Sequence, residues 1–331
     1  MTTFLQNLLP RRLLTEMVGA WAARPNAPLL HFAIQKFVDF YNVNLEESKI
    51  QNIKEFKTFN DFFSRELKDN AREISNADFI FPCDGKLSEF GKIQNGILIQ
   101  AKNHYYDLNA LLANNEAAKK MEGGLYFTIY LSPKDYHRVH MPTDGVLKNM
   151  QHIHGTLYSV NQNSVNNIPG LFAKNERLVC CFQHQKIKNE NAENSASNAK
   201  NNTFENGKVH LKNSALGEKL ENGELKEKLE NSELSGEGEN FEFFMVLVGA
   251  TIVGSIATQW EGTIAPPRPG YMRSWDYENK NIMLNKAAEM GRFLMGSTVI
   301  LIFPKNTIAM NSNLKKDIPV KLGDVLGDFP R

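Results

Sequence analysis

From residue 79 onward the sequence is a series of strand-length apolar runs separated by short breaks. "FIFPCDGKLSEFGKI", "GILIQA", "LYFTIYL", "GVLKNMQHI", "RLVCCF", "FEFFMVLVGATIVGSIATQW" and "STVILIFP" follow one another, punctuated by Gly, Pro and Asn. Few helical stretches are interleaved. The pattern predicts a mainly antiparallel, sandwich-like or barrel-like β core.

Residues 1–67 carry a different period. In "FLQNLLPRRLLTEMVGAWAA", Leu9, Leu13, Met17 and Trp21 recur every four residues, with Pro10 expected in the first turn. In "LLHFAIQKFVDFYNV", Leu30, Ile34, Phe37 and Tyr41 keep helical spacing. "TFNDFFSREL" predicts a further helix entered through Thr58 or Asn60, with Phe59, Phe62 and Phe63 turned inward. The first two helices either cap the core or, being basic and aromatic, lie in a membrane interface. The expected fold class is therefore α+β: an N-terminal region of amphipathic helices over 1–67, then a β-rich core over 68–331. Residues 184–240 interrupt that core. They are rich in Asn, Glu, Lys and Ser, nearly lack aromatics, and repeat "EKLENGEL" as "EKLENSEL". That composition predicts a disordered insertion.

Lys and Arg number 38 against 37 Asp and Glu, a net charge of +1 that argues against a nucleic-acid partner. Cys83, Cys180 and Cys181 form no CxxC pair and no even disulfide set, which points to a reducing compartment. No apolar run approaches the ~18 residues of a membrane-spanning helix. Pro10, Arg11 and Arg12 break the N-terminal run where a signal peptide should be continuous, so the chain is expected to stay on the cytosolic side.

Chemistry could sit in three places. Residues 291–304, "GRFLMGSTVILIFP", put Gly296, Ser297 and Thr298 at the mouth of a buried strand. Turn formation explains them, and so does a serine nucleophile held on a strained turn. "DYHRVHMP" holds His137 and His140; their i, i+3 spacing, the nearby Pro142 and the lack of an intervening carboxylate weigh against a zinc-hydrolase motif, and no metal is expected. Asp84 lies in "FPCDG", first of all a turn. Asp84, His140 and Ser297 are each ordinary residues alone; together they are a carboxylate, an imidazole and a hydroxyl in triad order on one β core. Spacing does not show that they meet. A serine hydrolase built on them and a non-catalytic membrane-binding β module both remain open here.

The motifs together narrow the choice. "FPCDG", "LSPKDYHRVHMP", "YSVN", "LFAKNERLVCCF", "VLVGATIVGSIATQWEGTIAPPRPG" and "KAAEMGRFLMGSTVI" occur in an order and spacing that resemble bacterial phosphatidylserine decarboxylase proenzymes. "TFNDFFSREL" shares the likeness, which reaches about residue 304 and is broken only by the insertion. Met295 stands where that family usually has Leu, and Cys83 where it commonly has a small apolar residue.

The resemblance implies a pyruvoyl-dependent lyase of phospholipid biosynthesis that converts phosphatidylserine to phosphatidylethanolamine and carbon dioxide. It implies autocatalytic cleavage of the zymogen between Gly296 and Ser297, giving chains 1–296 and 297–331 that stay associated, with a homodimer left open. Asp84, His140 and Ser297 would form the self-cleavage relay. Ser297 would become the pyruvoyl group that takes up the substrate amine as a Schiff base, needing no metal. His137 would be the proton donor in decarboxylation, and Ser159 of "YSVN" a substrate-binding residue. A diacyl substrate favours the interfacial reading of the N-terminal helices and a peripheral place on the cytoplasmic side of the cell membrane.

Overall fold

Residues 299–303 are apolar at every position rather than at alternate ones because both faces of their strand are covered. In the computed structural model, which describes residues 11–101, 104–185, 240–250, 256–264, 271–294 and 297–331, the strand Ser297–Phe303 lies inside a nine-stranded sheet. Its antiparallel neighbours are Glu242–Val248 on one side and Leu125–Leu131 on the other. Beyond the first come Arg177–His184, Gly145–Ile153 and Arg273–Asp276; beyond the second come Gly85–Lys92 and Ile318–Val320. Met283–Leu284 adds to the end of Gly145–Ile153. All these pairings are antiparallel. The sheet is open: among the described residues its two outermost strands do not pair.

Val299, Leu301 and Phe303 pack with Phe127, Ile129 and Leu131 on one face. Two smaller sheets cover that face. One contains Gly262–Thr263, Ile256–Thr258, Glu289–Phe293 and Arg138–His140; the other contains Phe79–Ile80, Val325–Asp328 and Ala309–Met310. Ile300 and Ile302 pack on the opposite face with Val246 and Val248, against the short helices Leu108–Leu112 and Leu171–Lys174. The molecule is α+β with a sandwich-like, mainly antiparallel core, as the strand-length runs require.

The N-terminal residues form the helices Arg11–Ala23 and Leu30–Tyr41 and the short helix Phe59–Phe63. Thr58 is the cap of the last: its hydroxyl accepts from Asp61 N–H, and Asp61 accepts from Thr58 N–H. That reciprocal box fixes the entry of the Phe-rich turn. Ala22, Leu30, Ile34, Phe56, Phe59, Phe62 and Phe63 make a third apolar cluster. Trp21, Phe37 and Val38 pack, half-buried, against that cluster, whereas other apolar side chains of the two longer helices face outward: Leu13 is 56% exposed, Met17 63% and Phe40 80%. No helix among the described residues is long and apolar enough to cross a membrane. Pro10 and nearly all of the expected insertion, residues 186–239, lie outside the described residues.

Candidate active site

A close backbone approach places Asp84. Gly85 opens its strand where a β-carbon would stand 2.6 Å from the Tyr130 carbonyl oxygen. The Asp-Gly pair is thus a point of strand contact as well as a bend. The residues before Asp84 run beside the His140 strand: His140 N–H donates to the Pro82 carbonyl at 2.8 Å, and Ile80 N–H donates to the Pro142 carbonyl at 2.9 Å. "FPCDG" and "YHRVHMP" are neighbours in space.

The Asp84 carboxylate nevertheless has other partners. Arg72 donates Nε–H to Oδ1 at 3.0 Å and Nη2–H to Oδ2 at 2.5 Å, while Leu322 N–H donates to Oδ1 at 3.0 Å. Arg72 also reaches Glu47 Oε2 at 2.7 Å. His140 donates Nδ1–H to the Ala287 carbonyl at 2.7 Å and accepts at Nε2 from the Tyr136 hydroxyl at 3.0 Å. The hydrogen bond that a relay would place between Asp84 and Nδ1 therefore goes to a backbone carbonyl. Burial holds the His140 pKa below its ordinary value. The Ala287 carbonyl and the charges of Glu289 and Asp84 oppose that shift, and Arg138 adds to it.

His137 is fully buried. Its ring stacks on Phe63 with centroids 4.1 Å apart and donates Nε2–H to the Ser132 carbonyl at 3.1 Å. Nδ1 has no hydrogen-bond partner. Burial, reinforced by the Arg65 charge, pushes its pKa down to about 3, so the imidazole is neutral. Backbone bonds tie the segment that carries this histidine to Phe293 and, through Leu131, to Ser297. Upstream, Phe293 N–H donates to the His137 carbonyl at 3.0 Å. Downstream, Ser297 pairs with Leu131, the residue before Ser132. Gly296 itself lies outside the described residues.

The phosphatidylserine decarboxylase family model matches residues 59–217 and 195–328, and a model described as PSD matches residues 1–42. The phosphatidylserine decarboxylase proenzyme of Dechloromonas aromatica is 39% identical over 323 residues, covering 97% of this chain and 95% of its own. That of Variovorax paradoxus is 37% identical over 325 residues, covering 98% and 96%. The chain belongs to the phosphatidylserine decarboxylase family. Neither the hydrolase nor the non-catalytic reading gains support from these matches.

On this family member the strand residue after Ser297 faces a cavity. Thr298 is buried, its Oγ1 has no hydrogen-bond partner, and it lines a space of about 580 Å³ with Tyr130, Val160, Gln162, Gln100 and Lys316. Ser159, half-buried, directly precedes Val160, so the "YSVN" segment borders that space. His152 is not gathered with these: its Nε2 contacts Glu176 Oε1 at 3.0 Å. Among the described residues no three His, Cys, Asp or Glu side chains are grouped as metal ligands would be. All three cysteines are free and buried.

Sequence reasoning missed Arg72, Tyr136 and Thr298. Tyr136 and Thr298 stand within the motifs that drew attention, beside residues of more familiar chemistry. Arg72 lies in an unremarkable polar stretch, and nothing in its spacing points to Asp84.

Proposed function

We propose that this chain is a proenzyme that cuts itself between Gly296 and Ser297 and then decarboxylates phosphatidylserine to phosphatidylethanolamine. The observation that carries the reading is the attachment of buried His137 to Phe293 on one side of that bond and, through Ser132, to the Ser297 pairing on the other. Family membership supplies the reaction class.

In the maturation step the Ser297 hydroxyl attacks the Gly296 carbonyl carbon. His140 Nε2, the ring nitrogen that carries the lone pair, takes the hydroxyl proton and returns it to the nitrogen of Ser297 as the C–N bond breaks. Asp84 favours the imidazolium through its field. β-Elimination of the resulting ester releases the Gly296 carboxylate and leaves dehydroalanine at 297, whose imine tautomer takes up water and loses ammonia to give pyruvoyl. That carbonyl supplies an electron sink for an α-amino carboxylate. Two orphaned polar atoms fit such a group: Thr298 Oγ1 and His137 Nδ1 are buried without partners. A substrate carboxylate near Nδ1 favours the imidazolium of His137. His137 then gives its Nδ1 proton to the carbon that loses carbon dioxide. Ser159 is assigned to the headgroup, a role that the place of its neighbour Val160 in the cavity wall supports.

The two chains stay together because Ser297–Phe303 is paired along both edges. Ile318–Val320 and Val325–Asp328 add further pairings to the larger chain. We assign residues 1–67 to peripheral membrane attachment on the cytoplasmic side and 68–331 to the catalytic core. The exposed Leu13, Met17, Phe32 and Phe40 support the first assignment.

Intact mass measurement on purified protein tests the reading, together with carbon dioxide release from carboxyl-labelled phosphatidylserine in vesicles. The expected result is two chains, the smaller blocked at its amino end, with Ser297→Ala left whole and inactive. An active, uncut parent chain overturns it.

A further inference from the structure

One face of His137 is covered by a residue of the N-terminal region. Phe63 stacks on the imidazole with the planes 24° apart and the centroids 4.1 Å apart. The contact uses the ring face alone, so it competes for neither nitrogen: Nε2–H goes to the Ser132 carbonyl at 3.1 Å, and Nδ1 has no partner. Hydrogen bonds bracket the stack. Arg138 donates Nε–H to the Ser64 carbonyl at 2.8 Å, and Arg65 donates Nη2–H to the Lys134 carbonyl at 3.0 Å. Residues 63–65 thus grip 134–138 at three points. Phe63 is held in turn: it is buried, it closes the helix that Thr58 caps, and Phe37 packs edge-on against it at 5.9 Å.

We infer that Phe63 is a positioning residue for decarboxylation: its ring fixes the plane of His137 and with it the direction of Nδ1. The inference rests on the reading above, in which His137 delivers the proton. The last torsion of a histidine side chain is broad, and one hydrogen bond at Nε2 survives a tilt that carries Nδ1 off its target. A flat ring packed against the imidazole face blocks that tilt. It does so while leaving Nδ1 open to take up and release a proton. A proton donor displaced by about 1 Å loses on the order of 10²-fold in rate. The N-terminal region therefore enters the catalytic centre through one side chain.

Phe63→Leu keeps an apolar side chain and removes the flat face; Phe63→Tyr keeps the face. Carbon dioxide release from carboxyl-labelled phosphatidylserine gives kcat and KM for each mature protein. Nitrogen NMR of labelled histidine, in a Ser297→Ala background, reads the His137 tautomer without any turnover. In the Ser297→Ala chain itself His137 is expected as one tautomer, protonated at Nε2; a mixture there overturns the inference before Phe63 is touched. Phe63→Leu is expected to mature, to keep a KM close to the parent's, and to turn over about 10–100-fold more slowly. Its His137 signals should move toward a mixture of tautomers, and Phe63→Tyr should restore most of the rate and the single tautomer. A parent kcat in Phe63→Leu overturns the inference. Slow turnover with unchanged His137 signals also overturns it, and so does a Phe63→Tyr as slow as Phe63→Leu, because volume and not the flat face then decides. If Phe63→Leu does not mature, the NMR comparison still stands, and unchanged His137 signals there overturn the inference. His137→Asn is measured first: turnover at the parent rate would remove the reading beneath, separately from anything Phe63 does.

Discussion

Arg72 grips both oxygens of the Asp84 carboxylate, and Glu47 holds Arg72 from the N-terminal region. The carboxylate proposed for maturation is therefore neutralised by a guanidinium that Glu47 ties to the N-terminal region. Breaking a buried ion pair by removing one partner leaves the other charge uncompensated and costs about 3–5 kcal/mol. Arg72→Ala is expected to lower the melting temperature and to accumulate uncut chain. Arg72→Lys keeps the charge but not the fork, and should mature at an intermediate rate. Gel analysis of the cut fraction with thermal melts checks both; an Arg72→Ala chain that matures and melts like the parent removes Asp84 from the site.

His137 makes stability depend on pH. Its folded pKa of about 3 lies below the ordinary 6.5, so its contribution is complete above about 6.5 and falls away as pH drops toward 3. His140 is shifted in the same direction. In the Ser297→Ala background, unfolding free energy between pH 4 and 6 should fall with a slope that His137→Asn reduces by about 1.4 kcal/mol per pH unit. An identical slope in both proteins would place His137 in a wetter setting than the Phe63 stack provides.

Point changes on the outward apolar face test membrane attachment better than truncation. Deleting residues 1–42 strips Ala22, Leu30 and Ile34 from the cluster that contains Phe63, and Phe63 stacks on His137. Leu13→Glu with Phe40→Glu alters exposed side chains alone. Co-sedimentation with anionic vesicles is expected to fall several-fold while maturation proceeds. Full co-sedimentation of the double variant would assign lipid binding to another surface.

Replacing residues 186–239 with a short Gly/Ser linker should leave maturation and turnover nearly unchanged. The flanking strands are already antiparallel neighbours: Gln183 pairs with Glu242, and His184 N–H donates to the Phe241 carbonyl at 2.7 Å. A short connection spans that gap, and loop-closure entropy changes slowly with length. Carbon dioxide release and thermal melting read the outcome, and a large loss in either would show that the segment packs.

Much of the fold was legible because its signals are local. The run at 299–303 announced a buried strand, and Thr58, one of two cap candidates with Asn60, announced a helix start. In the first N-terminal helix periodicity gave the element but not its outward side. Leu13 and Met17 of its stripe are exposed, whereas Trp21 of that stripe and the neighbouring Ala22 pack. The stripe is satisfied equally by a core and by a bilayer, and only the position of the Phe59–Phe63 turn decides which helix face it covers.

The candidate site divides in the same way. The sequence by itself determined the residue types, their order and the strand carrying Ser297, because these follow from side-chain chemistry and short-range spacing. Tertiary structure decided their partners. Asp84 and His140 approach through backbone bonds at Pro82, yet the carboxylate turns to Arg72 and the imidazole to Ala287 and Tyr136. A hydrogen bond goes to whichever group the packed chain brings within about 3 Å, and that is set by how distant segments meet, which no local pattern records.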